Sequence, residues 1–189
     1  RVQGVVECTP EGEILSVNDL FLKLTGYSLD EVKGRNYSTF VPKDSQATTS
    51  YQSFWPALQR GESRQGEYRK VTSDGREIWV QAVFNPIADA SGKPFKVVAY
   101  LTDVTKQRQE AVLNAAFRGA LDKLDANVLV VDTSLKVIFV NPAATQMLAR
   151  AQKALRSELP ELDAEKLLGR SLESMTMKPV ELRQQVEQL

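Results

Sequence analysis

The sequence predicts an α+β fold in which helices pack on one face of an antiparallel sheet, followed by a connector helix and a second, incomplete copy of the domain. Apolar residues alternate with a period of two in residues 76–86 and 95–102, as in strands, and recur at helical spacing in residues 18–27. The order strand, turn, strand, Asn of residues 7–18 returns in residues 130–141. Such self-similarity indicates two copies of one domain.

The composition is that of an ordinary globular protein and excludes several functions. The 189 residues include 24 Lys and Arg, 24 Asp and Glu, and no His. The net charge is zero, so the protein does not have the excess of basic residues that is typical of nucleic-acid binders. No apolar run approaches the ~20 residues needed to cross a bilayer. Without His, a Ser-His-Asp triad, His-ligated zinc and His-ligated haem are impossible. We therefore predict a non-enzymatic protein without a metal site.

Cysteine usage and the first residue bear on location. Cys8 is the single cysteine, so no internal disulfide can form, which fits a reducing compartment and a cytoplasmic protein. We interpret Cys8 as a small buried hydrophobe of the first strand. The chain begins at Arg1, which suggests a fragment of a longer protein.

The first elements predicted are a hairpin and two capped helices. Residues 5–8 and 14–17 are short apolar runs on either side of a turn at 9–13, which predicts a β-hairpin. Asn18 can cap the helix that follows, and Gly26 lies near its end. Ser28 and Glu31 have the spacing of a capping box for a second helical turn.

One longer helix and three long strands follow. We predict a helix over residues 44–59, shortened or kinked by Pro56, because proline lacks the amide proton and clashes with the preceding turn. Residues 66–71 and 76–86 form a long hairpin around the turn at 73–75, and residues 95–102 form the last strand. One face of the hairpin's second strand carries four apolar residues: Ile78, Val80, Ala82 and Phe84.

Residues 105–124 read as a polar helix with an apolar seam of Leu113, Phe117, Ala120 and Leu124. The seam has two open interpretations, pairing with a second chain or lying on its own domain. We divide the chain into a first domain at residues 1–105, a connector helix at 106–126 and a truncated second domain at 127–189.

The second copy lacks a counterpart of the three long strands. Residues 168–170 replay residues 33–35, displaced by an insertion around residues 156–162. Because its helices lack a full sheet, we expect its strands to pair elsewhere, across a dimer or on the first copy.

A conjunction of motifs resembles the PAS family. It comprises Asn18 after the second strand and residues 34–36, 84–92 and 101–105. The resemblance covers residues 4–105, and residues 128–189 are similar to a second, incomplete PAS domain. Residues 54–62 look like the tandem PAS modules of bacterial methyl-accepting chemotaxis receptors.

The resemblance implies a non-enzymatic sensory input module of a chemoreceptor. Such a module relays a redox, oxygen or small-ligand signal to a downstream signalling domain, and the connector helix would join it into a homodimer. Two alternatives stay open: a cofactor-free PAS dimerisation module, and the regulatory region of a sensor kinase or diguanylate cyclase.

Family members hold flavins, haem or metabolites between the sheet and the helices, and many hold nothing. Tyr37 stands where light-sensing LOV domains carry their reactive Cys, so a flavin–thiol adduct cannot form at that position. FAD is the cofactor that the resemblance suggests, with Trp55 against the ring and Lys70 at its polar edge. Lys70 and Arg64 replace an Asn and a Trp of FAD-binding relatives. The candidate cofactor-binding residues are Trp55, Lys70, Phe40 and Leu58.

Overall fold

The structure is a computed structural model that describes residues 3–155 and 163–175. It divides into two compact units, Arg1–Ala111 and Val112–Leu189. Each unit is described by itself below.

The first unit is built on a five-stranded antiparallel sheet, as predicted. Its strands are β1 (Gly4–Cys8), β2 (Ile14–Val17), β3 (Arg64–Val71), β4 (Glu77–Ala88) and β5 (Pro94–Asp103). Their order across the sheet is β2-β1-β5-β4-β3, which leaves β3 and β2 at the two edges.

Short helices cover one face of this sheet. They are α1 (Asp19–Thr25), α2 (Leu29–Val32), a 3₁₀ turn (Tyr37–Phe40), α3 (Lys43–Gln46), α4 (Thr49–Gln52) and α5 (Phe54–Gln59). Asn18 caps α1 by accepting the Phe21 N–H at 2.9 Å, and Gly26 ends it in the left-handed region, as predicted. The Glu31 carboxylate accepts the Ser28 N–H, which is the predicted contact at α2.

The single helix predicted over residues 44–59 is wrong, because three short helices occupy that stretch. Thr48 interrupts it: its side chain accepts the Tyr51 N–H at 3.3 Å and so begins a new helix, α4. Pro56 is the third residue of α5. An amide at that position has no partner within its helix, so Pro56 neither kinks nor breaks α5.

The core of the first unit lies between the sheet and these helices. Ile78, Val80, Ala82 and Phe84 are buried there, as their alternation predicts. The buried side chains that meet them from the helical layer are Phe21, Val32, Tyr37, Phe40, Phe54 and Leu58.

The connector is the helix α6 (Thr105–Asp122), which ends before the predicted boundary at residue 126, so Leu124 of the predicted seam lies beyond the helix. Leu113 is 69% exposed and Phe117 is 62% exposed, so the predicted seam is open on the single chain. Within the described residues, no helix has the length and apolarity needed to cross a membrane.

The second unit contains β6 (Leu129–Val131), β7 (Val137–Val140), α7 (Pro142–Leu155) and a second 3₁₀ turn (Leu172–Met175). β6 and β7 form an antiparallel pair, which is the counterpart of β1 and β2.

Hydrogen bonds confirm the internal repeat. Asn18 accepts the N–H of Val5, thirteen residues earlier, and Asn141 accepts the N–H of Val128 at the same separation. Gly34 donates its N–H to the Ile14 carbonyl, as Gly169 does to that of Val137. The predicted insertion at residues 156–162 and the end of the second copy lie outside the described residues.

Candidate ligand site

The interior of the first unit is filled with aromatic rings around Tyr37. Its ring makes edge contacts with Phe40 and Phe84, each at 5.6 Å between centroids, and with Trp55 at 6.0 Å. Burial raises the pKa of the Tyr37 phenol well above its ordinary value, and its hydroxyl has no hydrogen-bond partner among the described residues. Such an orphaned buried polar atom is uncommon in a folded protein.

Lys70 is a buried cation facing the same interior. It lies on β3 opposite Ile78 of β4, so the alternation of both strands turns its side chain toward the core, and only 4% of the residue is exposed. Its Nζ is 4.4 Å from the centroid of the Tyr37 ring and 5.7 Å from that of Tyr68. Burial lowers the pKa of Lys70 from 10.5 to about 7, while Cys8 acts weakly in the opposite sense.

No carboxylate compensates the charge of Lys70 within the described part of the chain. The ion pairs there involve other cations. The side-chain ammonium of Lys70 donates no hydrogen bond to any described residue. Its contacts are instead with the faces of two tyrosine rings, which attract a cation through their quadrupoles. A buried ammonium without an anion is costly, which marks Lys70 as a functional candidate.

Lys70 borders a cavity of about 210 Å³ at the free edge of β3. The side chains lining it belong to Val41, Ser45, Thr48, Ser50, Tyr51, Phe54, Glu67, Tyr68, Arg69, Lys70 and Trp79. Arg69 pairs with Asp44 and Glu77, and Glu67 pairs with Arg108. Lys70 is therefore the one unpaired charge among the described residues that line the cavity.

The four site residues predicted from the sequence separate into two groups. Lys70 lines the cavity, whereas Phe40 and Leu58 are fully buried in the packed core. Trp55 packs on the backbone of Gly12, where a Cβ would come within 2.9 Å of the indole. The indole N–H of Trp55 lies near the Tyr51 hydroxyl but has no hydrogen-bond partner among the described residues. Burial raises the pKa of Tyr51.

Sequence reasoning missed the roles of Tyr37 and Tyr68. Tyr37 was considered only for the absence of a reactive Cys, although it is the ring that both Trp55 and Lys70 contact. The alternation in residues 66–71 already placed Tyr68 and Lys70 on one face, which is the signal that could have found this pair.

A flavin does not fit the interior in this arrangement of side chains. Its ring would need the space that Tyr37 holds between Phe40 and Phe84. The adjoining cavity of about 210 Å³ is smaller than the ~300 Å³ at which sites for drug-sized molecules begin. In residues 3–155 and 163–175, no group of three or more His, Cys, Asp or Glu could hold a metal ion.

Two residues that line the cavity also hold the start of α6. The Trp79 N–H donates to the Thr105 hydroxyl at 2.9 Å, and the Trp79 carbonyl accepts the Val104 N–H at 2.9 Å. The Arg108 guanidinium stacks on the Trp79 indole at 3.7 Å and pairs with Glu67. The cavity and the first turn of α6 therefore share Trp79 and Glu67.

Comparisons with known proteins agree with this architecture. Residues 2–106 match a PAS domain family profile, and residues 115–178 match a second PAS domain profile. Biofilm dispersion protein BdlA of Pseudomonas aeruginosa is 36% identical over 104 residues, which are 55% of this chain and 25% of that protein. Methyl-accepting chemotaxis protein McpB of the same organism is 35% identical over 77 residues, 41% of this chain and 11% of that protein.

A solved RNA-binding Light-Oxygen-Voltage receptor shares the fold. Its TM-score is 0.53 at 22% identity, over 60% of this chain and 33% of the receptor chain. This likeness shows the fold alone. The chain matches a quarter or less of the length of the two Pseudomonas relatives.

Proposed function

Because the chain belongs to the PAS domain family, we propose that it is the sensory input module of a signalling protein. The first PAS domain, residues 1–105, binds a small ligand in the cavity at the β3 edge. The connector, residues 106–126, passes the resulting change to the second PAS domain and to a downstream output. The module performs no catalysis of its own.

One observation carries this proposal: Lys70 is a buried amine that has no counter-charge among the described residues, and it borders a cavity. The rings of Tyr37 and Tyr68 offset only part of the desolvation of a charged Lys70, whereas an anionic ligand supplies a counter-charge. Perturbed groups of this kind concentrate at functional sites.

The route out of the cavity supports a signalling role. Trp79 and Glu67 border the cavity and hold Arg108 of α6. A ligand that binds one arrangement of these side chains more tightly than another shifts the first turn of α6 toward the arrangement that it favours. The size of the shift is set by the ratio of the two affinities.

The similarity to McpB and BdlA favours a chemoreceptor-type output over a sensor kinase or a diguanylate cyclase. FAD is a second candidate ligand on the sequence resemblance alone, since Tyr37 fills the space between Trp55 and Lys70. It requires Tyr37 to leave the interior. The visible absorption spectrum of the purified protein tests it, because bound flavin is yellow.

A ligand screen tests the proposed function. Trp55 and Trp79 are the two tryptophans, so a Trp55→Phe protein reports Trp79 emission alone. A library of small metabolites is screened by thermal shift. We expect hits that fail on Lys70→Met, persist on the surface control Lys96→Met, and change Trp79 emission.

Two results contradict the proposal. If no compound stabilises the protein and it is colourless, the cofactor-free dimerisation module is the better account. If ligands bind in the cavity while Trp79 emission and the exchange of α6 amides stay constant, the cavity does not signal through this helix.

A further inference from the structure

Resting on the proposed function, we propose that the cavity beside Lys70 takes a small organic monocarboxylate. The carboxylate pairs with the Lys70 ammonium, and the carbon skeleton lies against the aromatic walls. The ligand thus supplies the counter-charge that no described residue gives Lys70.

The walls of the cavity set the character of the ligand's carbon part. Tyr51, Phe54 and Tyr68 present ring surface to it. Benzene occupies an engineered cavity of ~150 Å³, so about 210 Å³ accommodates one ring or a short chain together with a carboxylate.

The surrounding charges favour one negative charge over two. Glu67 lines the cavity, and Asp44 and Glu77 flank it through Arg69. Since Arg69 and Arg108 pair with these carboxylates, Lys70 is the one cation among the described residues of the cavity that is left to pair with the ligand. A dianion such as hydrogen phosphate would place its second charge near carboxylates.

Hydroxyl groups provide further donors. Ser45, Thr48, Ser50 and Tyr51 border the cavity, on α3, α4 and the residues between them. The Thr48 hydroxyl already donates to the Ser45 carbonyl at 2.7 Å. The Ser45 hydroxyl accepts from Arg69 and donates to Asp44. Ser50 and Tyr51 are therefore the hydroxyls proposed to donate to a carboxylate oxygen that does not face Lys70.

Proton linkage gives the site a signature. The titratable groups next to Lys70 are Cys8 from β1, Tyr37 from the 3₁₀ turn and Tyr68 from β3, and Tyr51 from α4 lines the same cavity. Burial raises the pKa of the Cys8 thiol and of each of the three tyrosine phenols above its ordinary value, so all four groups are neutral near pH 7. Beyond them, the carboxylate of Glu67 and the Arg69 guanidinium are paired. The pH dependence of binding therefore reports Lys70.

Isothermal titration with benzoate and propionate, against benzamide and propionamide as uncharged analogues, tests the proposal. At pH 6.5 we expect each acid to bind at least tenfold more tightly than its amide. Above pH 7, affinity for the acids should fall about tenfold per pH unit, because binding then requires protonation of Lys70. Lys70→Met should abolish binding. Lys96 pairs with Glu7 away from the cavity, so Lys96→Met should leave binding unchanged.

Each other outcome overturns the carboxylate assignment. Equal binding of acid and amide, a flat pH profile, or tighter binding of inorganic phosphate would do so. The pH profile needs no variant, so it decides even if Lys70→Met fails to fold. If the acids fail but neutral metabolites bind in a Lys70-dependent way, only the ligand class is wrong. If nothing binds, the proposed function fails too.

Discussion

At the scale of single residues, Lys70 and Tyr37 decide the character of the interior. A packed PAS core needs neither a cation nor an unpaired hydroxyl, and both burden the folded state. The contacts of the Lys70 ammonium with two tyrosine rings return only part of that cost. We infer that the buried Lys70 lowers the stability of the ligand-free protein and provides a cation to which an anionic ligand binds.

Stability should rise with pH because of Lys70. Its folded pKa of about 7 lies below the ordinary 10.5. Below pH 7 the amine is charged in both states, so the full penalty applies; between pH 7 and 10.5 the unfolded chain binds more protons, so the free energy of unfolding increases. Lys70 alone contributes a gain on the order of 3 to 5 kcal/mol over the full window, which the raised pKa of Cys8 opposes above pH 9.

Urea denaturation at pH 6 and pH 9 measures this increase, and the chain has no His to obscure it. Lys70→Met should be more stable than the wild type at pH 6 and should lose the slope between the two pH values. A wild-type stability that is equal at pH 6 and pH 9 would contradict the buried, unpaired amine.

Gly12 is required by the packing of Trp55. Its φ is +92°, and an added Cβ would lie 2.9 Å from the indole. Gly92→Ala is the matched control, because its φ of +85° is similar and nothing lies within 4 Å of the added atom. We expect Gly12→Ala to lower the free energy of unfolding by ~1–3 kcal/mol more than Gly92→Ala, measured by urea denaturation. Equal losses would mean that backbone strain alone matters.

At the scale of elements, the sequence predicted strands better than helices. The alternation of Ile78, Val80, Ala82 and Phe84 placed β4 correctly because a half-buried strand imposes that period. The break of residues 44–59 was missed, since it depends on the side chain of Thr48 capping a new helix. Lys70 was identified, but its burial was not, because a cavity forms between segments far apart in the sequence.

Arg108 should fasten the start of α6 to the sheet. It stacks on Trp79 and pairs with Glu67, whereas Lys106, two residues earlier, is exposed to solvent. Arg108→Ala should speed amide exchange in the first two turns of α6, by a loss of ~0.5–2 kcal/mol in local stability. Lys106→Ala should leave exchange unchanged. If both variants exchange alike, the Trp79 contact does not hold the helix.

At the scale of the whole molecule, the two copies repeat one local design. Asn18 and Asn141 each hold the strand thirteen residues before them and the helix that follows. The first copy has a cavity beside Lys70, which is unpaired among the described residues, and the apolar side chains of Leu113 and Phe117 on α6 and of Leu124 after it are exposed. We propose that the seam joins two chains.

Substitutions in the seam test that association. Phe117→Glu and Leu124→Glu each place a charge on an apolar surface, and burial of either side chain at an interface is worth ~1.5–3 kcal/mol. Ala115→Glu, which lies off the seam on α6, is the control. Analytical ultracentrifugation should show a weaker dimer for the first two variants. A dimer that survives both substitutions together would place the interface elsewhere.

The ionisation of Lys70 is the most direct test of the account as a whole. Its side-chain ¹³Cε resonance is followed by NMR against pH, and Lys70→Met assigns the signal. We predict a midpoint near 7 in the ligand-free protein, moving upward when benzoate is bound, since a carboxylate favours the charged amine. A midpoint near the ordinary value of 10.5 without ligand, unchanged by benzoate, would contradict the claim that Lys70 is buried without a counter-charge and binds a carboxylate.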